Sequence, residues 1–318
     1  MTASYQHSKT RKATHAGSWY DSQGDVLSSK LKAWLENASP SHAPARAIIA
    51  PHAGYSYSGP CAAFAYRQVV PEKVKCVFIL GPSHHYYLKT CALASVDAYE
   101  TPLYNLTINK KIYQELRGAA SFDSMTHGDD EAEHSMEMHL PYIAKIMESR
   151  RDNFTIVPIL VGSLSHDTEA KYGAILAKYL ADDENLFVVS SDFCHWGKRF
   201  RYVEYDKTKG KIHESIECMD KEGMEIIESL NPRHFASYLL RTENTICGRH
   251  PIGVFLNAVD VMRRDYPALQ PSMKFTKYAQ SSKATSADDS SVSYASGALV
   301  VANAPTEAKS AAGAQASR

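Results

Sequence analysis

The chain has 318 residues, 44% of them hydrophobic, which is enough for a substantial core. Its 35 basic residues balance 35 acidic ones, so no basic field is available to track the phosphates of a nucleic acid. The six cysteines are scattered without a C-x-x-C pair, the first residues hold no signal-like apolar run, and nothing approaches the ~20 apolar residues of a membrane span, so a reduced cytoplasmic setting, with a nuclear pool allowed, and no membrane insertion are expected.

Residues 1–12 are polar and are expected to be a disordered tail. Thr14-His-Ala-Gly-Ser-Trp-Tyr20 reads as an ordered loop. Asp21 or Ser22 can cap a helix to about Glu36, with Val26, Leu27, Leu31, Trp34 and Leu35 facing inward. The apolar run Ala47 to Ala50 predicts a strand buried on both faces. Pro51 ends it, having no N–H for a ladder. His52 follows at the carboxyl end. Gly54 and Gly59 give the turn its freedom, and from about Ser58 helical spacing places Cys61, Phe64, Ala65 and Val69 on one side. The pattern returns twice. Val77-Phe-Ile-Leu-Gly-Pro-Ser-His-His85 is an apolar strand that hands over to two histidines. Leu186-Phe-Val-Val-Ser-Ser-Asp-Phe-Cys-His-Trp196 hands over to Asp192 and His195.

Between these, Thr90 to Asp97 reads as a strand, Asn109 to Ala119 as a helix and Ser121 to Asp130 as a loop. Glu133 opens a helix reaching about Ser149, with His134, Glu137 and Met138 along one stripe. Phe154 to Val161 is a strand and Asp167 to Leu180 a helix. Further helices are predicted over 206–230, 232–241 and Pro251 to Arg263, the last after the turn that holds Cys247. Met273 to Ala279 and Val292 to Val301 alternate like strands, and 304–318 is small, polar and expected to be disordered. The alternation predicts an α/β fold, one domain over 13–303, with a mainly parallel central sheet flanked by helices.

If the three motif strands are parallel neighbours, their polar groups converge on one rim, where open α/β sheets bind ligands. His52, His84 and Cys247 form a candidate metal set, and His85 competes with His84 because adjacent side chains diverge. Imidazole and thiolate suit zinc, copper or iron. The plainer alternatives are structural histidines and a small buried cysteine. Asp192 and His195 read as a general acid/base pair, or as a carboxylate orienting an imidazole. Trp19, Tyr20, Tyr55 and Tyr57 are candidates to wall a pocket, and Arg249 to receive an anion. The chain has no G-x-S-x-G, G-x-G-x-x-G, Walker loop or H-E-x-x-H, which disfavours serine hydrolysis, hydride transfer, nucleotide hydrolysis and zincin chemistry.

These stretches carry a family resemblance. Thr14–Tyr20, Ile49-Ala-Pro-His-Ala-Gly-Tyr55, Ile79-Leu-Gly-Pro-Ser-His-His85, Glu133-His-Ser-Met-Glu-Met-His-Leu-Pro141, Val189-Ser-Ser-Asp-Phe-Cys-His-Trp196, Thr245-Ile-Cys-Gly-Arg-His-Pro251 and Tyr278-Ala-Gln-Ser-Ser282 together resemble the Memo family, named for mediator of receptor-driven cell motility. The likeness runs from about residue 14 to about 302. It implies a fold similar to class III non-haem iron extradiol dioxygenases, which open catechol rings with O₂ and hold Fe(II) with two histidines and a glutamate. The matching positions are His52, His84 and Cys247, the carboxylate having become a cysteine. A thiolate there favours Cu(I) or redox-active iron and is open to oxidation, which counts against ring cleavage. Asp192 and His195 match the remaining pocket residues, and Trp19 a pocket aromatic. The resemblance further implies an intracellular effector linking phosphorylated receptors to the cytoskeleton, with metal-dependent redox activity on O₂. Phosphotyrosine peptides and cytoskeletal regulators are then expected partners. A phosphopeptide adaptor with a vestigial pocket and a working extradiol dioxygenase are the alternatives.

Overall fold

The computed structural model describes residues 9–304. In chain order its elements are β1 (Thr10–Arg11), α1 (Gly24–Glu36), β2 (Ala47–Ala50), α2 (Tyr55–Tyr66), β3 (Cys76–Pro82), β4 (Cys91–Leu93), β5 (Ala98–Tyr99), β6 (Leu106–Thr107) and α3 (Lys110–Ala119). There follow β7 (Phe122–Ser124), α4 (His127–Ala132), α5 (His134–Glu137), α6 (Leu140–Ile146), β8 (Thr155–Val161), α7 (His166–Ala181), β9 (Asn185–Ser190) and β10 (His195–Trp196). The chain closes with α8 (Ile212–Glu228), α9 (Pro232–Thr242), α10 (Arg249–Asp265), β11 (Leu269–Gln280) and β12 (Ser291–Asn303).

The four apolar runs pair as the centre of the sheet, in the order β2-β9-β3-β8, all parallel. Every residue of β2, β3 and β9 is buried, as strands covered on both faces must be. Phe78 of β3 stacks on Phe187 of β9 at 4.5 Å, locking their register. Helices α1, α2 and α6 pack as one group and α7, α9 and α10 as another.

Outside that centre the sheet departs from the expected mainly parallel form. On one side β12 runs antiparallel to β2 and carries antiparallel β10 and β11; on the other β4 is antiparallel to β8 and parallel to β7. The sheet is therefore mixed. The reason lies in chain economy: β11 and β12 are joined by residues 281–290, too short for a parallel crossover. A separate small sheet joins β1, β5 and β6.

Three other expectations change. The loop predicted from Ser121 to Asp130 holds β7 and most of α4 instead, with Thr126 accepting the Asp129 N–H as the cap of α4. The predicted tail at 1–12 does not hold over Lys9–Lys12: β1 pairs with β5, and Arg11 is fully buried. Residues 1–8, and 305–318 of the other expected tail, lie outside the described residues; Ala304 is tied to Ala268 by a backbone hydrogen bond. The single helix expected from Glu133 to Ser149 is cut into α5, α6 and a 3₁₀ turn. Glu133 is extended (φ −81°, ψ 125°), and its carboxylate accepts the Ser135 N–H as a cap. Pro141 then starts α6 afresh.

Candidate functional site

Because β2, β3 and β9 are parallel, the residues that follow them emerge on one rim. Ala50 pairs with Ser190 and Leu80 with Val189, so His52, His84 and Asp192 leave the sheet side by side. They open into a cleft of about 600 Å³ lined also by Trp19, Tyr57, His134, His195 and Arg199. A larger hollow of about 800 Å³ lies around Arg46, Lys73 and Asp183, against the opposite strand ends, and holds no histidine.

Three imidazoles, His52, His84 and His134, bring nitrogen atoms within 4.8 Å of one another. His84 and His134 stack at 4.4 Å, and Trp19 lies 4.5 Å beyond His134. The hydrogen bonds around two of these rings settle their tautomers. The Ser190 hydroxyl donates to the Ser135 carbonyl at 2.7 Å, so it must accept from His52 Nδ1–H at 2.6 Å. The Glu133 carboxylate accepts both the His84 backbone N–H at 2.7 Å and His84 Nδ1–H at 2.9 Å. Both histidines thus keep Nε2 bare, the arrangement that carboxylate and hydroxyl partners impose on metal-binding imidazoles. Burial would lift Glu133, but the hydrogen bonds from the His84 ring and from the amides of His84 and Ser135 outweigh it and hold the carboxyl at about 2. Burial, then the neighbouring imidazoles, push His52 well below its ordinary value and His134 to about 3. His52 and His134 are therefore neutral near pH 7, as ligands must be.

Cys247 Sγ lies 3.3 Å from His52 Nε2 but is not within mutual reach of the whole imidazole group. The expected set His52–His84–Cys247 and the assembled set share two members, and His134 takes the third place. A spacing of 3.3 Å suits an S–H···N bond, and also suits two ligands of one ion at about 2.1–2.3 Å each. The approach depends on Gly248: a Cβ there would collide with Ser190 O and with the Ser191 side chain. Burial pushes the Cys247 thiol well above its usual value, so it is protonated in the ion-free protein. Asp192 is buried and accepts the His52 N–H at 2.9 Å, and burial pushes its carboxyl up to about 7.

The remaining expectations divide. His195 lines the cleft, but the Phe193 and Thr245 carbonyls, at 2.9 and 3.1 Å, orient its Nδ1 rather than the Asp192 carboxylate. Trp19 and Tyr57 line the cleft, Tyr57 being 63% exposed. His85 meets His134 edge-on at 5.9 Å from outside the lining. Arg249 is exposed and does not line the cleft, whereas Arg199 does. Residue reasoning missed His134, Glu133, Ser190 and Arg199 as functional. One signal was present: Glu133 and Glu137 stand in a stretch with Met136, Met138 and Leu140, and acids in such surroundings must be paired when buried. Glu137 is paired by Arg11 at 2.7 Å and by His15 Nδ1 at 2.7 Å, and it also takes the Tyr20 hydroxyl.

A Memo-like protein family model matches residues 11–298. The chain is 57% identical to Protein MEMO1 of Xenopus laevis and to Protein MEMO1 of Homo sapiens, in each case over 291 residues, 92% of this chain and 97% of the relative. It is 51% identical to Protein memo-1 homolog of Caenorhabditis elegans, over 92% of this chain and 83% of that one. A solved structure of an uncharacterised Escherichia coli protein matches at 14% identity and TM-score 0.39, over 78% of this chain and 98% of that one, a likeness too slight to bear on fold or function. The family model and the relatives agree over nearly the whole described chain: this chain belongs to the Memo-like family.

Proposed function

We propose that this protein is a metal-binding redox effector, holding one iron or copper ion among His52, His84 and His134, with Cys247 as a further ligand beside His52. The observation that carries the reading is the pair of bare Nε2 atoms fixed by Ser190 and Glu133, in a group of imidazoles within 4.8 Å. Imidazole with thiol suits copper and iron better than magnesium or calcium. Bound there, the ion would supply one-electron chemistry toward O₂. The chain's own part is to keep His52 and His134 neutral, to aim the rings, and to deliver the Cys247 thiol, which releases its proton on ligation. Asp192, at about 7, is the nearby group able to take a proton near neutral pH. His84, with 26% of its side chain exposed against 15% for His134, is the ring most open to a small molecule in the cleft. A fold kinship with extradiol dioxygenases, a role in signalling to the cytoskeleton, and a cytoplasmic or nuclear location belong to this same proposal; no helix among the described residues is long and apolar enough to cross a membrane.

The test is X-ray absorption on protein loaded anaerobically with Fe(II) or Cu(I), paired with oxygen uptake in the presence of a reductant. Nitrogen ligation with a sulfur contribution that disappears in Cys247→Ser is expected. A metal spectrum unchanged in His52→Ala would overturn the reading. One observation favours a second reading: Arg199 and the serines at 281, 282, 290 and 291 line the cleft beside Trp19 and Tyr57. An anionic peptide, a phosphotyrosine peptide among them, would meet the arginine there and stack on the aromatics. Titration with such a peptide against Arg199→Ala decides it, since equal affinity for both proteins removes this surface.

A further inference from the structure

His139 is fully buried, and its Nε2 has no hydrogen-bond partner among the described residues. Its Nδ1 lies 2.7 Å from the Tyr66 hydroxyl. Two tautomers are conceivable. If Nδ1–H donated to the phenol, the phenol proton and the bare Nε2 would both be stranded. If Tyr66 donates to Nδ1, only Nε2–H is stranded. The second leaves fewer buried polar groups unpaired and is therefore the stable one. Burial holds the His139 imidazole down at about 3, so it is neutral and presents a free lone pair to a phenol proton.

Tyr66 ends a line of rings that begins at the three-histidine site. Trp19 packs on His134, and its chain neighbour Tyr20 lies 5.5 Å from Tyr55. Tyr55 is 5.5 Å from Tyr142, which stacks on Tyr66 at 4.6 Å with planes 3° apart. A side branch leads from Tyr55 to half-buried Trp34 at 6.1 Å. The phenols along this line differ in where their protons can go. Those of Tyr55 and Tyr142 donate to the carbonyls of Met138 and Gly59, which cannot take a proton. That of Tyr20 donates to Glu137, whose protonation would take one of its two carboxylate partners from the buried Arg11 guanidinium. Tyr66 alone among them faces a neutral base with no cation to lose.

We propose that Tyr66 and His139 form a proton-coupled redox pair, the resting place of an oxidising equivalent that travels along the aromatic line. An oxidised phenol is a far stronger acid than the phenol itself. Tyr66 gives one electron to a one-electron oxidant, and its O–H proton moves to His139 Nδ1. The products are a neutral tyrosyl radical, an imidazolium and the oxidant reduced by one electron. The electron travels through the neighbouring rings, while the proton moves only across the 2.7 Å bond. Burial of Tyr66, 1% exposed, keeps the radical from coupling with others in solution. As the destination of oxidant made at the three-histidine site, the pair rests on the metal reading above; as a redox pair reached through Trp34, it does not.

The experiment has two arms, both read as a long-lived tyrosyl signal by freeze-quench electron paramagnetic resonance. In the first, metal-free protein is oxidised by photogenerated ruthenium(III) tris-bipyridine. In the second, Fe(II)-loaded protein meets hydrogen peroxide. The signal is expected in both arms, lost in Tyr66→Phe, and lowered severalfold in His139→Gln, with Tyr20→Phe retaining it in the first arm. Matched thermal melting curves show that the variants are folded. A signal that depends on Tyr66 in the first arm and is absent in the second upholds the pair and counts against the metal reading. A signal unaffected by Tyr66→Phe, one removed by Tyr20→Phe instead, or none in either arm overturns the pair.

Discussion

Two buried polar clusters lie next to each other, and they are finished differently. At β1, Arg11 is enclosed with Glu137 at 2.7 Å and Asp130 at 3.1 Å, and its other donors reach the carbonyls of Lys12, Asp130 and Glu133. Burial would lift Glu137, but His15, Arg11 and Tyr20 hold it down at about 2. The chain supplies both signs of charge. At the rim of the sheet, Asp192 is buried and Cys247 half-buried, yet no side-chain cation is bonded to either among the described residues, and desolvation pushes both toward their neutral forms. Here His52 and His134 are neutral as well. The first cluster is a completed strap that fastens the segment carrying His15, Trp19 and Tyr20. The second holds imidazoles and proton-bearing groups with no side-chain cation bonded to Asp192 or Cys247 among the described residues, an arrangement that suits the ion proposed above.

The contrast can be broken most forcefully at Arg11. Arg11→Met leaves two carboxyls without their guanidinium and is expected to cost about 3–5 kcal/mol in urea unfolding. A loss below about 1 kcal/mol would show that the strap is ornamental.

Acid probes the same cluster with the sign fixed by Glu137. Its folded value, about 2, lies below the ordinary 4.5, so the folded state binds the proton less well than the unfolded one. The stabilisation is complete above 4.5 and is lost as pH falls from there to about 2, by an amount on the order of 3 kcal/mol. Denaturant midpoints across that range check it, and Glu137→Gln should flatten the slope.

On the rim side, Glu133→Gln keeps the shape but removes the charge that fixes the His84 tautomer. It should weaken Fe(II) or Cu(I) binding by about 10–100-fold in calorimetry. The smallest effect belongs to Arg249→Ala, an exposed position away from the cleft. Stability should stay within about 0.5 kcal/mol, and metal affinity should not change. A large change in affinity would move the site toward α10.

The parallel centre was legible because apolar runs of four to seven residues, each ending in a break and a histidine or aspartate, leave little choice of fold. The antiparallel flanks were harder to read. An alternating strand such as β12 pairs with either polarity until its connection is known, and β10 is two residues long. His52 and His84 could be found from their place after a strand. His134 could not, since its place in the group comes from the turn at Glu133, set by a carboxylate that also binds a strand end far away in sequence. Arg199 against Arg249 was undecidable by pattern, because the cleft wall is built by the folding of the 196–202 loop, with Gly197 and Arg201 in left-handed conformations.

Metal stoichiometry tests the central claim most directly. Protein loaded anaerobically with Fe(II) and desalted should carry close to one ion per chain, and the His52→Ala/His84→Ala double variant should carry almost none while melting at a similar temperature. An undiminished ion content in that folded double variant would contradict the account.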